Sequence, residues 1–365
     1  MKNLIFLILT LLAWPGRCES APAAAEAGAE VAPVAPQGEW AVVNTSSVFM
    51  RGEASYTAEN VSQSRMGTPV QVLARTGYWV KIRTPEPYEG WVNELTLAPY
   101  PADYRNSRRY ICVREHSFVY AEPSLGAARL SDLSMSDIVR ASASGKGGAK
   151  AGQGTGKDGW AAVQLWDGRS GWVPAADVAD FESWIADAEY RAQGWSQKTP
   201  ETRLTPGSES RLVSKSAKNA TNPSGPAAES LAAEVVATAR LFLGSPYMWG
   251  GMSAGLFDCS GLVGFCYFMA GIQLPRDASQ QIGCGVPVDF EDMQAGDLVF
   301  FGEKRVGHVA LCTGPGRIIH SSQIVRENSL IPGEADYYGR HIIGIRRVIG
   351  HLPQENFIKN SPLYF

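Results

Sequence analysis

The sequence predicts an α+β protein in which two small β-units precede one larger domain of helices and strands. Three observations predict this order: two segments repeat one strand-and-turn pattern, a Ser- and Pro-rich stretch follows them, and helical and strand periodicities both occur after that stretch. The length of 365 residues fits two or three domains. Hydrophobic residues form 45% and charged residues 19% of the chain, so wholesale disorder and a multi-span membrane protein are excluded.

The charge balance argues against a nucleic-acid partner. The chain has 33 basic and 36 acidic residues, which gives a net charge of −3. Binding to a phosphate backbone depends on a surplus of Lys and Arg that releases condensed counterions. The sequence lacks this surplus, and we therefore expect no nucleic acid to bind.

The N-terminal segment has the layout of a secretory signal. Lys2 supplies a positive charge, residues 4–13 form an apolar run, and the Trp-Pro-Gly of residues 14–16 breaks it. A run of this length is too short to span a bilayer comfortably. We expect residues 1–20 to be a signal peptide and residues 21–38, which are rich in Ala, Pro and Glu, to be a flexible leader.

Export sets the expected location of the mature protein. Signal cleavage after Ser20 and cleavage after Ala23 are both compatible with the small residues at this point. Lipoprotein processing at Cys18 needs a small side chain just before the cysteine, and Arg17 stands there instead. We expect a periplasmic or secreted protein without a lipid anchor and without a membrane span in the mature chain.

Two stretches repeat one β-pattern. Each carries two tryptophans twelve residues apart, namely Trp79 and Trp91, and Trp160 and Trp172. Apolar and polar residues alternate between the tryptophans around a turn, which is typical of paired strands. The repeat delimits a first β-unit, residues 39–105, and a second β-unit, residues 106–182. A Gly-rich segment at 145–159 within the second β-unit is predicted to be a surface loop.

The repeated pattern resembles bacterial SH3-like domains, which are small β-barrels common in exported wall enzymes. The resemblance rests on the short motif W-x-V followed by G-W-V, of which both copies carry the G-W-V part, at 90–92 and 171–173. It implies two SH3-like β-barrels in sequence. We expect the four tryptophans to lie mainly in the barrel cores.

A linker separates the β-units from the third domain. Residues 183–228 are rich in Ser, Pro, Thr and Asn and contain few apolar residues over most of their length. A helix is predicted to begin near Ala228, because apolar residues then recur at helical spacing until Gly244. We define the third domain as residues 229–355.

Cys259 is the candidate nucleophile. It lies in the run Phe-Asp-Cys-Ser-Gly at 257–261, and the apolar residues that follow repeat at helical spacing. A thiol in the first turn of a helix feels the positive end of the helix dipole, so we expect a lowered pKa for Cys259. Cys266 falls inside the apolar pattern and is predicted to be core. The pattern leaves the disulfide state of Cys112, Cys284 and Cys312 open.

His308 and His320 are the candidate partners of the thiol. They bracket a predicted hairpin, and a turn centred on Gly314 would set them directly opposite each other, about 5 Å apart at Cβ. One imidazole would then contact the thiol while the other orients it. A zinc ion bound by Cys259, His308 and His320 is the alternative, but we expect no metal, because no general acid stands at metalloenzyme spacing.

The third domain resembles the NlpC-type papain-like cysteine peptidases of bacterial walls. The motifs that match are G-S-P-Y-x-W-G-G at 244–251, F-D-C-S-G at 257–261, L-P-R-D-A-S at 274–279, G-D-L-V-F-F at 296–301, G-H-V at 307–309, and His320. The resemblance implies a papain-like catalytic domain with Cys259, His308 and His320 as its triad, and no cofactor. It also implies cleavage between γ-D-glutamate and a diamino acid. We expect the Tyr247 hydroxyl to help hold the oxyanion.

Two SH3-like units before such a domain are similar to the dipeptidyl-peptidase VI type. That type trims L-Ala-γ-D-Glu-diamino acid peptides with a free N-terminus. The resemblance implies that Asp258 helps to hold the substrate ammonium, together with Glu59 and Tyr88 of the first β-unit. We expect Ser260 and Trp249, which lie in the matching motifs, to bind substrate as well.

These observations predict an exported cysteine peptidase that hydrolyses the γ-D-glutamyl–diamino acid bond of peptidoglycan stem or turnover peptides. The expected partners are peptidoglycan-derived peptides, with either diaminopimelate or lysine as the diamino acid, and the expected state is a monomer. One alternative is an N-acetylmuramoyl-L-alanine amidase or an acyltransferase on the same fold. Another is a wall-binding protein whose peptidase domain is inactive.

Overall fold

A computed structural model of the chain describes residues 38–142, 159–186 and 227–365. The predicted signal peptide, nearly all of the leader, most of the linker and the Gly-rich segment up to residue 158 lie outside the described residues. No helix in the described part of the chain is long and apolar enough to cross a membrane.

The first β-unit is a seven-stranded antiparallel sheet with the strand order β3-β2-β6-β5-β4-β1-β7. Buried valines and isoleucines alternate with outward residues along its strands, so that Val80, Ile82 and Val92 share one core. The strands are β1 (Glu39–Val43), β2 (Ser47–Arg51), β3 (Asn60–Arg65), β4 (Pro69–Thr76), β5 (Trp79–Arg83), β6 (Glu89–Asn93) and β7 (Leu97–Pro99).

The second β-unit repeats this topology. Its order is β10-β9-β13-β12-β11-β8-β14, which is the first order with seven added to each strand number. The strands are β8 (Arg109–Cys112), β9 (His116–Tyr120), β10 (Arg129–Ser134), β11 (Ile138–Ala141), β12 (Trp160–Gln164), β13 (Ser170–Pro174) and β14 (Val178–Asp180). A short helix, α1 (Phe181–Ala186), follows at once where the linker was predicted to begin.

Most of the repeated tryptophans lie outside the cores, so that expectation was wrong. Val80 pairs with Val92 on the buried face of the first sheet, and Lys81 pairs with Trp91 on the other face. Trp79 is buried, whereas Trp91 and both tryptophans of the second β-unit are only half-buried. The aliphatic side chains of the alternation fill the cores and leave the tryptophans on the opposite side of the pleat.

The third domain packs helices against a six-stranded sheet of order β17-β22-β18-β19-β20-β21. Its helices are α2 (Ala227–Leu241), α3 (Cys259–Met269) and α4 (Ala278–Gln281). Its strands are β15 (Met252–Ser253), β16 (Leu256–Phe257), β17 (Val286–Pro287), β18 (Leu298–Gly302), β19 (Val306–Gly314), β20 (Arg317–Ser322), β21 (Ile324–Ser329) and β22 (Ile342–Arg347). Val235 of α2 and Phe265 of α3 share one core with Leu311 of the sheet.

The β19–β20 hairpin differs from its predicted register by two residues. The prediction paired residues whose numbers sum to 628, whereas Leu311 pairs with Ile319, which sums to 630. A bulge before Gly314 and a tighter turn account for the shift. His308 and His320 are therefore diagonal neighbours rather than direct ones. Because a two-residue shift preserves the side-chain alternation, both still lie on one face.

The residues after 355 pack on the second β-unit. Arg109 is fully buried, and its Nη1 donates a hydrogen bond of 2.7 Å to the Tyr364 carbonyl. The rings of Phe181 and Phe365 stack 5.7 Å apart beside this guanidinium. The second β-unit also places Met135 in the core of the third domain. These contacts attach it to the third domain largely through apolar packing.

Candidate active site

Cys259 is the first residue of α3, as its motif predicted. Asp258 caps the helix, and its Oδ1 accepts a hydrogen bond of 2.6 Å from the Gly261 backbone N–H. A Cβ at Gly261 would lie 1.9 Å from the Gly251 carbonyl oxygen, so only glycine fits there. The cap and this close approach together explain why Asp, Cys and Gly stand at this spacing.

The Cys259 thiol is protonated in the resting site, contrary to the lowered pKa expected from the helix dipole. Burial raises its pKa to about 11, and the negative charge of Asp258 adds to the rise. Hydrogen bonds from the backbone N–H groups of Val309 and Ser260 oppose this rise without reversing it. The Val309 contact sets the sulfur beside the residue that directly follows His308.

A chain of hydrogen bonds runs from His308 into the protein. His308 Nε2 lies 2.7 Å from His320 Nδ1, and His320 Nε2 lies 3.0 Å from Asn328 Oδ1. Asn328 Nδ2 in turn donates a hydrogen bond of 2.6 Å to the Asp336 carbonyl oxygen. His308 is 5% exposed and His320 is fully buried, so water does not compete for these bonds.

This chain fixes the tautomer of both imidazoles. The Asp336 carbonyl only accepts, so the Asn328 amide nitrogen faces it and Asn328 Oδ1 is left to accept from His320 Nε2–H. The Nδ1 atom of neutral His320 then accepts from His308 Nε2–H. The remaining nitrogen of His308, Nδ1, therefore carries the lone pair that a general base needs.

Both imidazoles are neutral at neutral pH. Burial, then the neighbouring His320 and the charges of nearby arginines, lower the pKa of His308 to about 3. Burial and the same arginine charges lower the pKa of His320 to about 4, against the opposing hydrogen bond to Asn328. The Tyr338 ring packs on the pair, with centroid distances of 4.5 Å to His320 and 5.9 Å to His308. This packing keeps the base dry and fixed in orientation.

Asn328 is a residue that the sequence reasoning missed. In the β20–β21 pairing, Ile318 lies opposite Asn328 and His320 lies opposite Arg326. Residues two apart on a strand share a face, so Asn328 lies on the face of His320. If the predicted hairpin had been extended to a third strand, the alternation of that strand could have placed Asn328 on the face of His320.

Tyr247 lies near the thiol, as predicted. Burial raises its pKa to about 12, and the charges of Cys259 and Asp258 contribute to the rise. The hydroxyl is therefore a hydrogen-bond donor throughout the neutral range. The Tyr247 backbone is held by a hydrogen bond from its N–H to the Gln323 carbonyl, 2.8 Å long.

Arg276 is the second residue that sequence reasoning missed. It is 3% exposed, and its Nη2 lies 2.6 Å from Asp258 Oδ2. Its Nη1 also donates to Ser260 Oγ at 3.1 Å, and Ser260 Oγ donates to Asp258 Oδ1 at 3.2 Å. Asp258 and Ser260 are thus already bonded within the protein, and Arg276 balances the charge of Asp258. Sequence spacing gave no sign of this ion pair.

The first β-unit is built into the site through strand β3. Ser62 Oγ accepts a hydrogen bond of 2.9 Å from Arg276 Nε. Gln63 Oε1 accepts three hydrogen bonds, from Met252 N at 2.7 Å, Ser253 N at 3.1 Å and Ser253 Oγ at 2.9 Å. Both β3 residues are 1% exposed. These buried polar contacts fix the first β-unit against the loop that leads to Cys259.

Tyr88 and Glu59 of the first β-unit lie beside the same network. Tyr88 is half-buried, and its pKa is raised by burial and then by the charge of Asp277, with smaller effects of Asp258 and Glu59. The Arg276 guanidinium lies 6.0 Å from the Tyr88 ring. Three carboxylates and one guanidinium therefore act electrostatically on this phenol, and the excess charge is negative.

Trp249 is exposed, and its backbone lies at the contact between the first β-unit and the third domain. Its side chain is 62% exposed, and its carbonyl accepts a hydrogen bond of 3.0 Å from Asn60 Nδ2 of the first β-unit. The next residue, Gly250, has φ +73, and a Cβ there would lie 2.6 Å from the Asn60 carbonyl. Glycine is needed here because the two domains approach so closely.

The described cysteines are all free thiols: Cys112, Cys259, Cys266, Cys284 and Cys312. Cys266 is fully buried in the core, as predicted. Within residues 38–142, 159–186 and 227–365, no group of three or more His, Cys, Asp and Glu side chains has the arrangement of a metal site.

Two family profiles match parts of this chain. The NlpC/P60 family profile matches residues 244–347, and the bacterial SH3 domain profile matches residues 46–98. A gamma-D-glutamyl-L-lysine dipeptidyl-peptidase of Bacillus cereus is 41% identical over 120 residues, and one of Bacillus subtilis is 36% identical over 120 residues. The match covers 32% of this chain, and 36% and 40% of the length of these two relatives.

The fold of the chain matches a solved structure. The crystal structure of an NlpC/P60 family protein from Bacillus cereus aligns with a TM-score of 0.61 at 22% identity. The alignment covers 85% of this chain and 99% of that chain. The chain therefore contains an NlpC/P60 family domain at residues 244–347, preceded by a bacterial SH3 domain at residues 46–98.

Proposed function

We propose that this protein is an exported cysteine peptidase that hydrolyses the γ-D-glutamyl–diamino acid bond of peptidoglycan-derived peptides with a free N-terminal L-Ala. The names of the Bacillus relatives support the bond and the peptide class. The signal-like N-terminal sequence supports a place of action outside the cytoplasm.

One observation carries the proposal: the hydrogen-bond chain that ends at His308. The Asp336 carbonyl, Asn328 and His320 leave the basic Nδ1 of His308 as its free nitrogen, and the Cys259 thiol bonds to the adjacent Val309 N–H. A buried pair of histidines that served packing alone would need no such directed chain. This arrangement supports nucleophilic catalysis by the thiol.

In the acylation step, His308 Nδ1 takes the proton of the Cys259 thiol as the sulfur attacks the γ-carbonyl carbon of D-glutamate. The carbonyl oxygen becomes an oxyanion, which the Cys259 backbone N–H and the Tyr247 hydroxyl hold by hydrogen bonds. The C–N bond then breaks, and His308 Nδ1–H protonates the leaving amine. A thioester of L-Ala-γ-D-Glu remains on the sulfur.

In the deacylation step, the same nitrogen acts again as a base. His308 Nδ1 takes a proton from water, and the resulting hydroxide attacks the thioester carbonyl. The C–S bond breaks, and the thiolate recovers the proton from His308. His320 holds the ring of His308 in one orientation through both steps, since its Nδ1 keeps accepting from His308 Nε2–H.

The surplus negative charge around Tyr88 supports recognition of a substrate ammonium. Asp258 is balanced by Arg276, so the unbalanced charge comes from Asp277 and Glu59. A free N-terminal amine of L-Ala, two residues from the scissile bond, would offset one of these two negative charges. Trp249 is exposed and lies in the loop that leads to Cys259, and we propose that it forms a wall for the peptide.

The alternative of an inactive wall-binding protein is weakened by the complete triad. A protein that only binds would not need Cys259 as a half-buried thiol next to a base with a fixed tautomer. The alternatives of an amidase and an acyltransferase use the same triad, and the reaction products distinguish them.

The experiment is mass spectrometry of L-Ala-γ-D-Glu-meso-diaminopimelate after incubation with the wild type and with Cys259→Ala. We expect the wild type to release L-Ala-γ-D-Glu, and Cys259→Ala to release none. Cys266→Ala removes a thiol from the same helix and is the matched control, which should retain cleavage. Cleavage by Cys259→Ala at the wild-type rate, or a product cut at another bond, would contradict the proposal.

A further inference from the structure

Two arginines lie beside the histidine pair and take no part in the chemistry described so far. Arg326 lies directly opposite His320 in the β20–β21 pairing, so the two side chains project from the same face of the sheet. Arg326 is half-buried, and its Nε is buried without a hydrogen-bond partner. A donor in this state is suited to an acceptor that arrives with a ligand.

Arg340 is the second of these arginines. It is exposed, and its Nη1 donates a hydrogen bond of 3.3 Å to the hydroxyl of Tyr338, whose ring packs on His308 and His320. The charges of Arg326 and Arg340 both lower the pKa of His308, in keeping with the strand pairing of Arg326 and the hydrogen bond of Arg340 to Tyr338. Among the residues that the structure describes, neither arginine has a carboxylate within 4.0 Å.

The site is therefore polarised. Its side nearest the first β-unit carries the surplus negative charge of Glu59 and Asp277, and its side nearest the histidines carries Arg326 and Arg340. A general acid must contact the leaving nitrogen to protonate it, so the surroundings of His308 face the leaving residue. The arginines accordingly face the diamino acid, and the carboxylates face the other end of the peptide.

We propose that Arg326 and Arg340 bind the carboxylates of the leaving diamino acid and thereby favour diaminopimelate over lysine. This inference rests on the proposed function and assigns the specificity of the same site. Both diamino acids end in an ammonium group, but diaminopimelate has two carboxylates, whereas lysine has one. A guanidinium pairs with a carboxylate through two parallel hydrogen bonds, so the second carboxylate of diaminopimelate is the group that the arginines would distinguish.

The test is a series of three peptides that share L-Ala-γ-D-Glu and lose one carboxylate at each step. The leaving groups are meso-diaminopimelate, L-lysine and cadaverine, which is lysine without its carboxylate. We expect kcat/KM of the wild type to fall about tenfold at each step, since each step removes one charge-assisted pair. Arg326→Gln and Arg340→Gln should each reduce these ratios by slowing the diaminopimelate peptide most.

Arg129→Gln is the matched control, because it removes one guanidinium from the surface of the second β-unit, where Arg129 lies 3.7 Å from the Phe118 ring. It should leave all three rates unchanged. Equal cleavage of the three peptides by the wild type would overturn the inference. It would also be overturned if the arginine variants slowed all three peptides by the same factor. The exposed Arg340 gives a usable answer even where a change at Arg326 disturbs folding.

The arginine inference can be tested even if the wild type does not hydrolyse the proposed bond. If the wild type cleaves none of the three peptides, calorimetric binding of the same series to Cys259→Ala decides the question. Binding that weakens with each lost carboxylate, and that depends on Arg340, supports the inference even though the assigned bond is wrong. Equal binding of all three peptides, or no binding, contradicts both proposals.

Discussion

The two β-units have one topology and two different uses. Both are seven-stranded sheets with the same strand order, yet the first is hydrogen-bonded into the site and the second is attached largely by apolar contacts. Gln63 and Asp132 occupy the same place in the two copies, since Gln63 pairs with Phe49 and Asp132 pairs with Phe118. Gln63 is 1% exposed, whereas Asp132 is exposed.

The difference lies in what the third strand of each unit meets. Four residues of β3, Ser62 to Arg65, are buried, and Ser62 and Gln63 find partners in the third domain. Most of β10 is exposed or half-buried. A buried polar strand needs matched partners, because an unpaired polar group in the interior is costly. One fold can therefore be part of a catalytic site or a structural support, and its edge-strand contacts decide which. The shared strand order also supports an SH3-like assignment for the second β-unit.

One arginine joins each β-unit to the third domain: Arg276 contacts the first β-unit, and Arg109 belongs to the second. The largest effect is expected from replacing Arg276. Arg276→Met leaves the Asp258 carboxylate buried and unpaired beside the nucleophile, at a cost of about 3–5 kcal/mol in the free energy of unfolding. We expect kcat/KM to fall about a hundredfold, because the thiol is displaced and more charge opposes its ionisation. Urea denaturation and peptide cleavage measure the two effects.

Arg109→Met is the counterpart in the second β-unit. It removes the hydrogen bond to the Tyr364 carbonyl and the packing on Phe181, so we expect a loss of about 1–3 kcal/mol in the free energy of unfolding. The kcat/KM value should stay within twofold of the wild type. An equal loss of activity in Arg109→Met would erase the proposed difference between the units. If Arg276→Met fails to fold, Arg276→Lys, which keeps the charge but loses the paired hydrogen bonds, can be measured for stability and kcat/KM instead.

The sequence predicted the elements of the site better than their connections. Cys259 at a helix start and the two histidines on one sheet face follow from local spacing, and the structure places them there. The hairpin register was missed by two residues, because a bulge leaves no clear sign in the alternation. The side-chain parity survived only because the shift is even.

The remaining features depend on contacts between residues far apart in the chain. Arg276 meets Ser62 across 214 positions, and no local pattern pairs them. The raised pKa of Cys259 likewise follows from burial and from the carboxylate of Asp258, which outweigh the backbone hydrogen bonds that lower it. Burial of a polar strand such as β3 is also invisible in its composition, since Ser, Gln and Arg are typical of exposed strands.

A smaller effect is expected at the ammonium end of the substrate. Glu59→Gln removes one of the two unbalanced carboxylates, so kcat/KM on the free-amine peptide should fall about tenfold. The rate on the N-acetylated peptide should not change, because that peptide carries no ammonium. Glu122→Gln, in the corresponding β9–β10 turn of the second β-unit, is the matched control and should leave both rates unchanged. Equal losses on the two peptides would show that Glu59 acts on structure rather than on recognition.

The smallest effect is expected from truncating the strand contact itself. Gln63→Ala removes the acceptor of three hydrogen bonds and leaves the Met252 and Ser253 N–H groups unpaired, at a cost of about 1–3 kcal/mol. We expect KM to rise a few fold with little change in kcat, since Glu59 and Tyr88 would be held less firmly. Asp132→Ala should alter neither stability nor kinetics. If Gln63→Ala changed neither stability nor KM, the contact that fixes the first β-unit to the third domain would not be the one made by Gln63.

The most direct test of the account is a crystal structure of Cys259→Ala with L-Ala-γ-D-Glu-meso-diaminopimelate. We predict that the ammonium group lies among Glu59, Tyr88 and Asp277, with the γ-carbonyl above residue 259. The leaving residue should extend past His308 towards Arg340. A peptide bound in the reverse direction, or one that makes no contact with the first β-unit, would contradict the account.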